Sequence, residues 1–235
     1  MYKNKKILGI IPARSGSKKM PHKNIRMFMG KPLIAWTILA TRRSGVVDEI
    51  FVSTDSERYA MIAKRYGANV PFLRPDDLSG DTNPASDYII HAINEYNIRY
   101  KRTFDYFILL QPTSPLRTPE QIRDGVAMAV DGDYTSIVAF SPYHEDLRLV
   151  RPLPEDMNLA DAGAPNDTLR QESERLYRVN GMIYISRCET YADTKSFYGP
   201  KGKAMIIDSD DTVDIDDESD FQYAEYLANR SGRYE

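Results

Sequence analysis

The chain has little of what several functional classes require. It holds one cysteine, Cys188, so it cannot build an internal disulfide framework. That suits a reducing cytoplasm, which is the expected location. With no partner in view, Cys188 reads as an inert thiol. No apolar run nears the ~20 residues that a membrane span needs, so no membrane association is expected. The basic start, residues 1–6, leads into an apolar stretch, 7–11, that Pro12 ends. That stretch is too short for a secretory signal, and none is expected. Basic residues do not dominate: 31 lysines and arginines face 34 acidic residues, a net charge of −3. A nucleic-acid footprint is therefore excluded, and any phosphate binding has to be local. Histidine is scarce, with only His22, His91 and His144, and none of them reads as a general base. Repeats and low-complexity linkers are absent.

What is present is enough for one α/β domain over 1–235. The 235 residues are 42% hydrophobic and 28% charged, an ordinary soluble composition with room for a core. Residues 6–11 are short, apolar and ended by proline, the pattern of a buried first strand. A polar loop follows over 13–24. Pro32 then opens a helix through Leu33, Ile34, Trp36, Ile38 and Leu39. Residues 49–54 form a second strand, and Ser56 caps a helix ending near Gly67. A short third strand is predicted over 70–73 and a helix over 84–97. An apolar strand over 106–110, a helix from Pro119 to about 130 and a strand over 135–140 continue the series. Regular structure returns at 178–186 and 204–207, and a closing helix spans 218–229. This alternation predicts a mostly parallel sheet covered on both faces. Such sheets bind ligands at the carboxyl ends of their strands. Between 141 and 174 the pattern breaks into prolines and charges, either a surface loop or a segment that packs on something else.

The loop after the first strand reads Pro12-Ala13-Arg14-Ser15-Gly16-Ser17-Lys18-Lys19-Met20-Pro21-His22-Lys23-Asn24. Backbone N–H groups near Gly16 can form an anion nest. Arg14 and Lys23 can neutralise phosphate oxygens. The loop lacks the Gly-Lys-Ser/Thr ending of a P-loop and the three-glycine dinucleotide pattern. On chemistry alone, a phosphate cradle and a solvated charged turn both fit it.

A second constellation lies near the end, Thr212-Val213-Asp214-Ile215-Asp216, followed by Asp217, Glu218 and Asp220. In an extended segment alternate side chains share a face. Asp214 and Asp216 then project together while Val213 and Ile215 pack behind. Two such carboxylates suit magnesium, which takes one or two carboxylates plus substrate phosphates and water. The other reading is an acidic helix start. It fits Asp217 and Glu218 well.

Several segments together resemble the CMP-sialic acid synthetases, or acylneuraminate cytidylyltransferases. They are Ile10-Ile11-Pro12-Ala13-Arg14-Ser15-Gly16-Ser17-Lys18, Lys23-Asn24 and Gly30-Lys31-Pro32-Leu33. Val52-Ser53-Thr54-Asp55, Leu73-Arg74-Pro75, Asp81-Thr82 and Leu109-Leu110-Gln111-Pro112-Thr113-Ser114-Pro115-Leu116-Arg117 follow. Arg170-Gln171 and Arg178-Val179-Asn180-Gly181 complete the set. The chain departs from the pattern at Lys19, where the family has glycine, and at Ala85, where it has a serine near the cytidine. Ser86 stands one step later.

The resemblance implies a Rossmann-like nucleotidyltransferase fold of GT-A type. It implies transfer of CMP from CTP to a nine-carbon keto-sugar acid, with magnesium on Asp214 and Asp216. Nucleotide contacts are expected from Arg14, Ser15, Gly16, Ser17, Lys23, Asn24, Arg74 and Ser86. Sugar-acid contacts are expected from Gln111, Arg117, Arg170, Gln171 and Asn180, with Arg170 meeting the sugar carboxylate and Arg117 either supporting the Gln111 loop or purely structural. Arg14, Lys23, Asp214 and Asp216 carry the catalysis. The 141–174 excursion is expected to pack on a second subunit, giving a homodimer. Kdo is the nearest rival substrate, though its usual loop ending is missing here. Legionaminic, pseudaminic and deaminated neuraminic acids remain as acceptors, and a non-catalytic CTP-binding homologue or a mere scaffold as other classes.

Overall fold

Both sides of the first strand are apolar, and both are buried. In the computed structural model, which describes residues 1–145, 147, 150, 155, 175–208 and 212–232, β1 spans Ile7–Pro12. Ile7 and Ile11 join one core cluster, whereas Leu8 and Ile10 join another on the opposite face. Strand side chains alternate, so a continuous apolar run is what a sheet covered on both faces demands.

The chain continues through a small hairpin, β2 (Met27–Phe28) and β3 (Lys31–Pro32), into α1 (Leu33–Ser44). Then come β4 (Glu49–Ser53), α2 (Glu57–Arg65), α3 (Ala85–Tyr100), β5 (Tyr106–Leu109) and α4 (Pro119–Asp131). Next are β6 (Ser136–Tyr143), β7 (Leu176–Arg187), α5 (Cys188–Thr194), β8 (Gly202–Ile206) and α6 (Glu218–Ser231). The main sheet has the order β4-β1-β5-β7-β6-β8. Only β7 runs against the others, pairing antiparallel with both β5 and β6. The mostly parallel sheet expected from the sequence is therefore present. Residues of α1, α2 and α4 cover one face, and residues of α3 and α5 cover the other.

The caps explain where the helices start. Ser56 accepts a hydrogen bond from the Tyr59 amide at α2. Thr118 and Gln121 form a capping box at α4, with Pro119 in its first turn. Asp217 and Asp220 do the same at α6.

Four boundaries differ from the sequence reading. Residues 70–73 form no strand; a single parallel bridge joins Asn69 to Phe51. Pro71 has no N–H to give a ladder. Pro32 sits at the cap of α1 and pairs in the small hairpin rather than starting the helix. The β6–β7 ladder reaches Tyr143 and Leu176, past the break expected at Ser141. Pro142 is tolerated there because the β8 pairing has ended at Phe140, leaving that side of β6 an edge. The helix α5 had no expectation at all. Of the 141–174 excursion, residues 141–143 thus belong to β6. Most of the rest, Arg170 and Gln171 included, lies outside the described residues.

Cys188 is buried at the start of α5, and burial pushes its thiol up to about 12. Native protein should therefore react slowly with a thiol reagent and rapidly once unfolded in denaturant. Rapid labelling of the native chain would contradict this placement.

Candidate active site

Loops leaving the carboxyl ends of β1, β4 and β5 meet at one end of the sheet. The Ala13 amide still bonds to the Ser53 carbonyl at 2.9 Å, and the phosphate loop departs after it. Asp55, just past β4, holds Ser15 twice, accepting from its amide and its hydroxyl at 2.8 Å each. The buried Asn24 amide donates to the Arg14 carbonyl at 3.1 Å. Met20 is buried with Phe28, Leu33 and Phe221 beneath the loop. The loop is thus fastened at three points. Gly16, Lys18 and Lys19 stay exposed and Ser17 half-exposed. Asp81 takes an ion pair from Arg14 and another from Lys18 at 2.6 Å. Those hydrogen bonds hold its carboxyl below the usual carboxylate range.

Seven of the expected residues line one cleft of about 240 Å³: Arg14, Lys23, Asn24, Arg74, Gln111, Asp214 and Asp216. A larger hollow of about 450 Å³ beside the start of α4 contains Arg117 but none of these seven. The smaller cleft is where the chemistry gathers. Arg74 is 4% exposed in its wall. It donates from Nε to Ser53 Oγ at 3.0 Å and from Nη2 to the Ser53 carbonyl at 2.8 Å. Its guanidinium lies 4.5 Å from the Tyr88 ring centroid. Burial is the main force lowering its pKa. No carboxylate pairs with it among the described residues, so its desolvated charge suits an anionic ligand.

The acidic segment behaves as its alternation requires. Val213 and Ile215 are buried, while Asp214 and Asp216 are exposed. The Ile215 amide donates to the Thr113 carbonyl at 2.9 Å, pinning the segment beside the loop after β5. Lys23 crosses to it, donating to the Ile215 carbonyl at 2.7 Å and to Asp216 Oδ1 at 3.1 Å. Asp217 caps α6 in a box with Asp220, and Glu218 lies in the first turn paired with Arg26, so the helix-start reading holds for Asp217 and Glu218. No group of three or more metal-binding side chains occurs among the described residues. The donor set near the cleft is therefore the aspartate pair. That pair could hold a hard cation that completes its shell with phosphate oxygens and water.

Other expected residues do different work. Arg117 is buried and donates to the Met182 carbonyl, to Thr37 Oγ1 at 3.3 Å and to the Gln111 carbonyl at 2.9 Å. It supports the Gln111 loop from behind. Asn180 is buried too, donating to Ser141 Oγ at 2.9 Å and accepting from the Met182 amide at 3.0 Å. It braces the bulge between β6 and β7. Ser86, in the first turn of α3, contacts Asp87 and does not line the cleft. Gly181, at φ +75°, lies beside Gln111, and a Cβ there would fall 3.1 Å from Gln111 Oε1. Sequence reasoning missed Tyr88, which lines the cleft, and the anchoring role of Asp55. A loop motif ending in aspartate was the available signal for Asp55.

An α/β sheet that gathers fixed cations and paired carboxylates at its strand ends suits a nucleotidyltransferase. A family model for cytidylyltransferases matches residues 8–233. The chain belongs to this cytidylyltransferase family. It is 39% identical over 228 residues to a CMP-N,N'-diacetyllegionaminic acid synthase of Legionella pneumophila, covering 94% of this chain and 96% of the relative. It is 35% identical to an N-acylneuraminate cytidylyltransferase of Escherichia coli, over 97% of this chain. That alignment covers 53% of the Escherichia coli enzyme, so the chain spans about half that relative's length. A CMP:2-keto-3-deoxy-manno-octonic acid synthetase solved with CTP shares the fold, with a TM-score of 0.71 at 17% identity, covering 96% of this chain and 99% of the other.

Proposed function

We propose that this enzyme transfers CMP from CTP to a nine-carbon keto-sugar acid of the sialic-acid type, releasing pyrophosphate. The observation that carries the reading is the cleft where Arg14, Lys23 and Arg74 face Asp214 and Asp216. The anomeric hydroxyl oxygen bonds to the α-phosphorus, the bond from that phosphorus to the bridging oxygen breaks, and pyrophosphate departs. Such chemistry depends on positioning and charge neutralisation. Arg14 and Lys23 neutralise the departing phosphates, and Arg74 with Asn24 places the nucleotide. Ser15, Gly16 and Ser17 shape the loop around it, and Gln111 meets the sugar acid. Magnesium held by Asp214 and Asp216 supplies Lewis-acid polarisation of the phosphate. Relatives named for legionaminic and N-acylneuraminic acids make these two the first acceptors to test.

The proposal includes a homodimer joined through the excursion between β6 and β7. Exposed Leu176, Tyr177, Val179 and Ile206 near its base support that. It also includes a cytoplasmic location, which the lone buried cysteine favours. No helix among the described residues is long and apolar enough to cross a membrane.

The test is pyrophosphate release with magnesium across a panel of nonulosonic acids, with ATP, GTP and UTP as controls. Release that needs both CTP and one sugar is the expected result. Tight CTP binding without release for any sugar favours a binding protein instead. Lys23→Ala should raise the KM for CTP roughly tenfold, the loss of one charge-assisted contact. An unchanged KM removes Lys23 from the nucleotide site.

A further inference from the structure

A buried arginine without a carboxylate partner has to be held by something else. Two of the nitrogens of Arg74 are bonded to Ser53 at the end of β4, and both acceptors are neutral. Asp55 acts on it only through space, and the ring contact among the described residues is Tyr88, with its centroid 4.5 Å from the guanidinium carbon. Tyr88 sits in the first turn of α3, half-buried, and among the described residues it is the only aromatic side chain lining the cleft. We propose that Tyr88 is a positioning residue for Arg74. Its ring face stabilises the guanidinium without neutralising it, so that the full charge stays available to the nucleotide.

A carboxylate in the place of Tyr88 would hold Arg74 more strongly, but it would compete with every phosphate that approached. A plain aliphatic side chain would leave a buried cation facing apolar surface, which is costly. An aromatic face attracts a cation through its quadrupole and adds no net charge. The hydroxyl does not spoil this: burial pushes Tyr88 up to about 12, so the ring remains neutral at physiological pH. The placement also ties two elements together. Arg74 follows the bridge at Asn69, and Tyr88 opens α3, so one contact fixes the start of that helix against the end of β4.

This inference rests on the CTP reading above, and the experiment separates the two. CTP binding is measured by calorimetry for the wild type, Tyr88→Phe, Tyr88→Leu, Arg74→Gln and the Arg74→Gln/Tyr88→Leu pair. Tyr88→Phe keeps the ring and should bind CTP as the wild type does. Tyr88→Leu should bind roughly tenfold more weakly, the loss of one desolvated cation–ring contact. In steady state its KM for CTP should rise while kcat changes little. In the Arg74→Gln background the Leu substitution should add almost nothing, because the two residues act as one unit. Undiminished CTP affinity in Tyr88→Leu, or an equal loss in the Arg74→Gln background, overturns the proposal, since packing alone then explains the ring. If Tyr88→Leu does not fold, Tyr88→Met serves in the same cycle. A wild-type chain that binds no CTP overturns the nucleotide reading itself, and this inference with it.

Discussion

Replacing Asp214 and Asp216 together by asparagine should lower turnover at saturating CTP by about 10³-fold or more, the several kcal/mol that metal stabilisation of a phosphoryl transition state supplies. The fold should survive. Both side chains are exposed, while the segment is anchored by buried Val213 and Ile215 and by the Ile215 amide on Thr113. Asparagine keeps the size of the side chain and removes the charge. The effect on binding should have two signs. With magnesium present, CTP should bind more weakly, because the cation has lost its carboxylates. With magnesium chelated, CTP should bind as well or better, because two negative charges no longer repel its phosphates and Lys23 is released from Asp216. Calorimetry with and without chelator reads both signs. Ordinary magnesium-dependent turnover in the double variant would falsify the metal assignment.

Arg117→Ala should be the most destabilising single change near the site. Its guanidinium joins β7 through Met182, α1 through Thr37 and the loop after β5 through Gln111. Truncation leaves the buried Met182 carbonyl and the part-buried Gln111 carbonyl without that donor and opens a cavity, a cost of about 3–5 kcal/mol. Urea unfolding measures it directly. Arg117→Lys should recover little, because a single ammonium cannot reach three acceptors held in a planar fork. Where Arg117→Lys remains folded, the KM for the sugar acid should rise more than that for CTP, since Gln111 loses its backing. A loss below about 1 kcal/mol in Arg117→Ala, the worth of one ordinary hydrogen bond, argues against this role.

The sequence made the sheet legible because apolar runs and helix caps are local signals. Residues 6–11 and 106–110 could hardly be anything but buried strands, and Ser56 and Pro119 mark helix starts by their own chemistry. The paired aspartates were equally readable, because Val213 and Ile215 gave away which face was buried. What escaped were contacts between distant segments. Nothing in the spacing says that Arg117 spends its donors on Met182, Thr37 and Gln111, or that Asn180 braces a bulge. Both residue types look like ligand contacts until their partners are known. Tyr88 was invisible for a related reason: an aromatic in a helix usually belongs to the core, and only its contact with Arg74 in the folded chain shows it at the cleft. The break at Ser141 was misread because a proline ends a strand only where its missing N–H has a partner to lose.

The cleft also sets a threshold on what can enter it. Arg14 and Lys18 share Asp81 and Lys23 pairs with Asp216, whereas Arg74 has no ion-paired carboxylate among the described residues. A small anion gains little by displacing a carboxylate, since it trades one modest ion pair for another. A polyanion that replaces both carboxylates at once, and brings a cation to compensate Asp216, gains at every position together. Inorganic phosphate should therefore meet Arg74 but displace neither carboxylate, while a nucleoside triphosphate with its counter-ion should displace both. Selection should then fall first on the number of charges delivered at once, before any base or sugar is read.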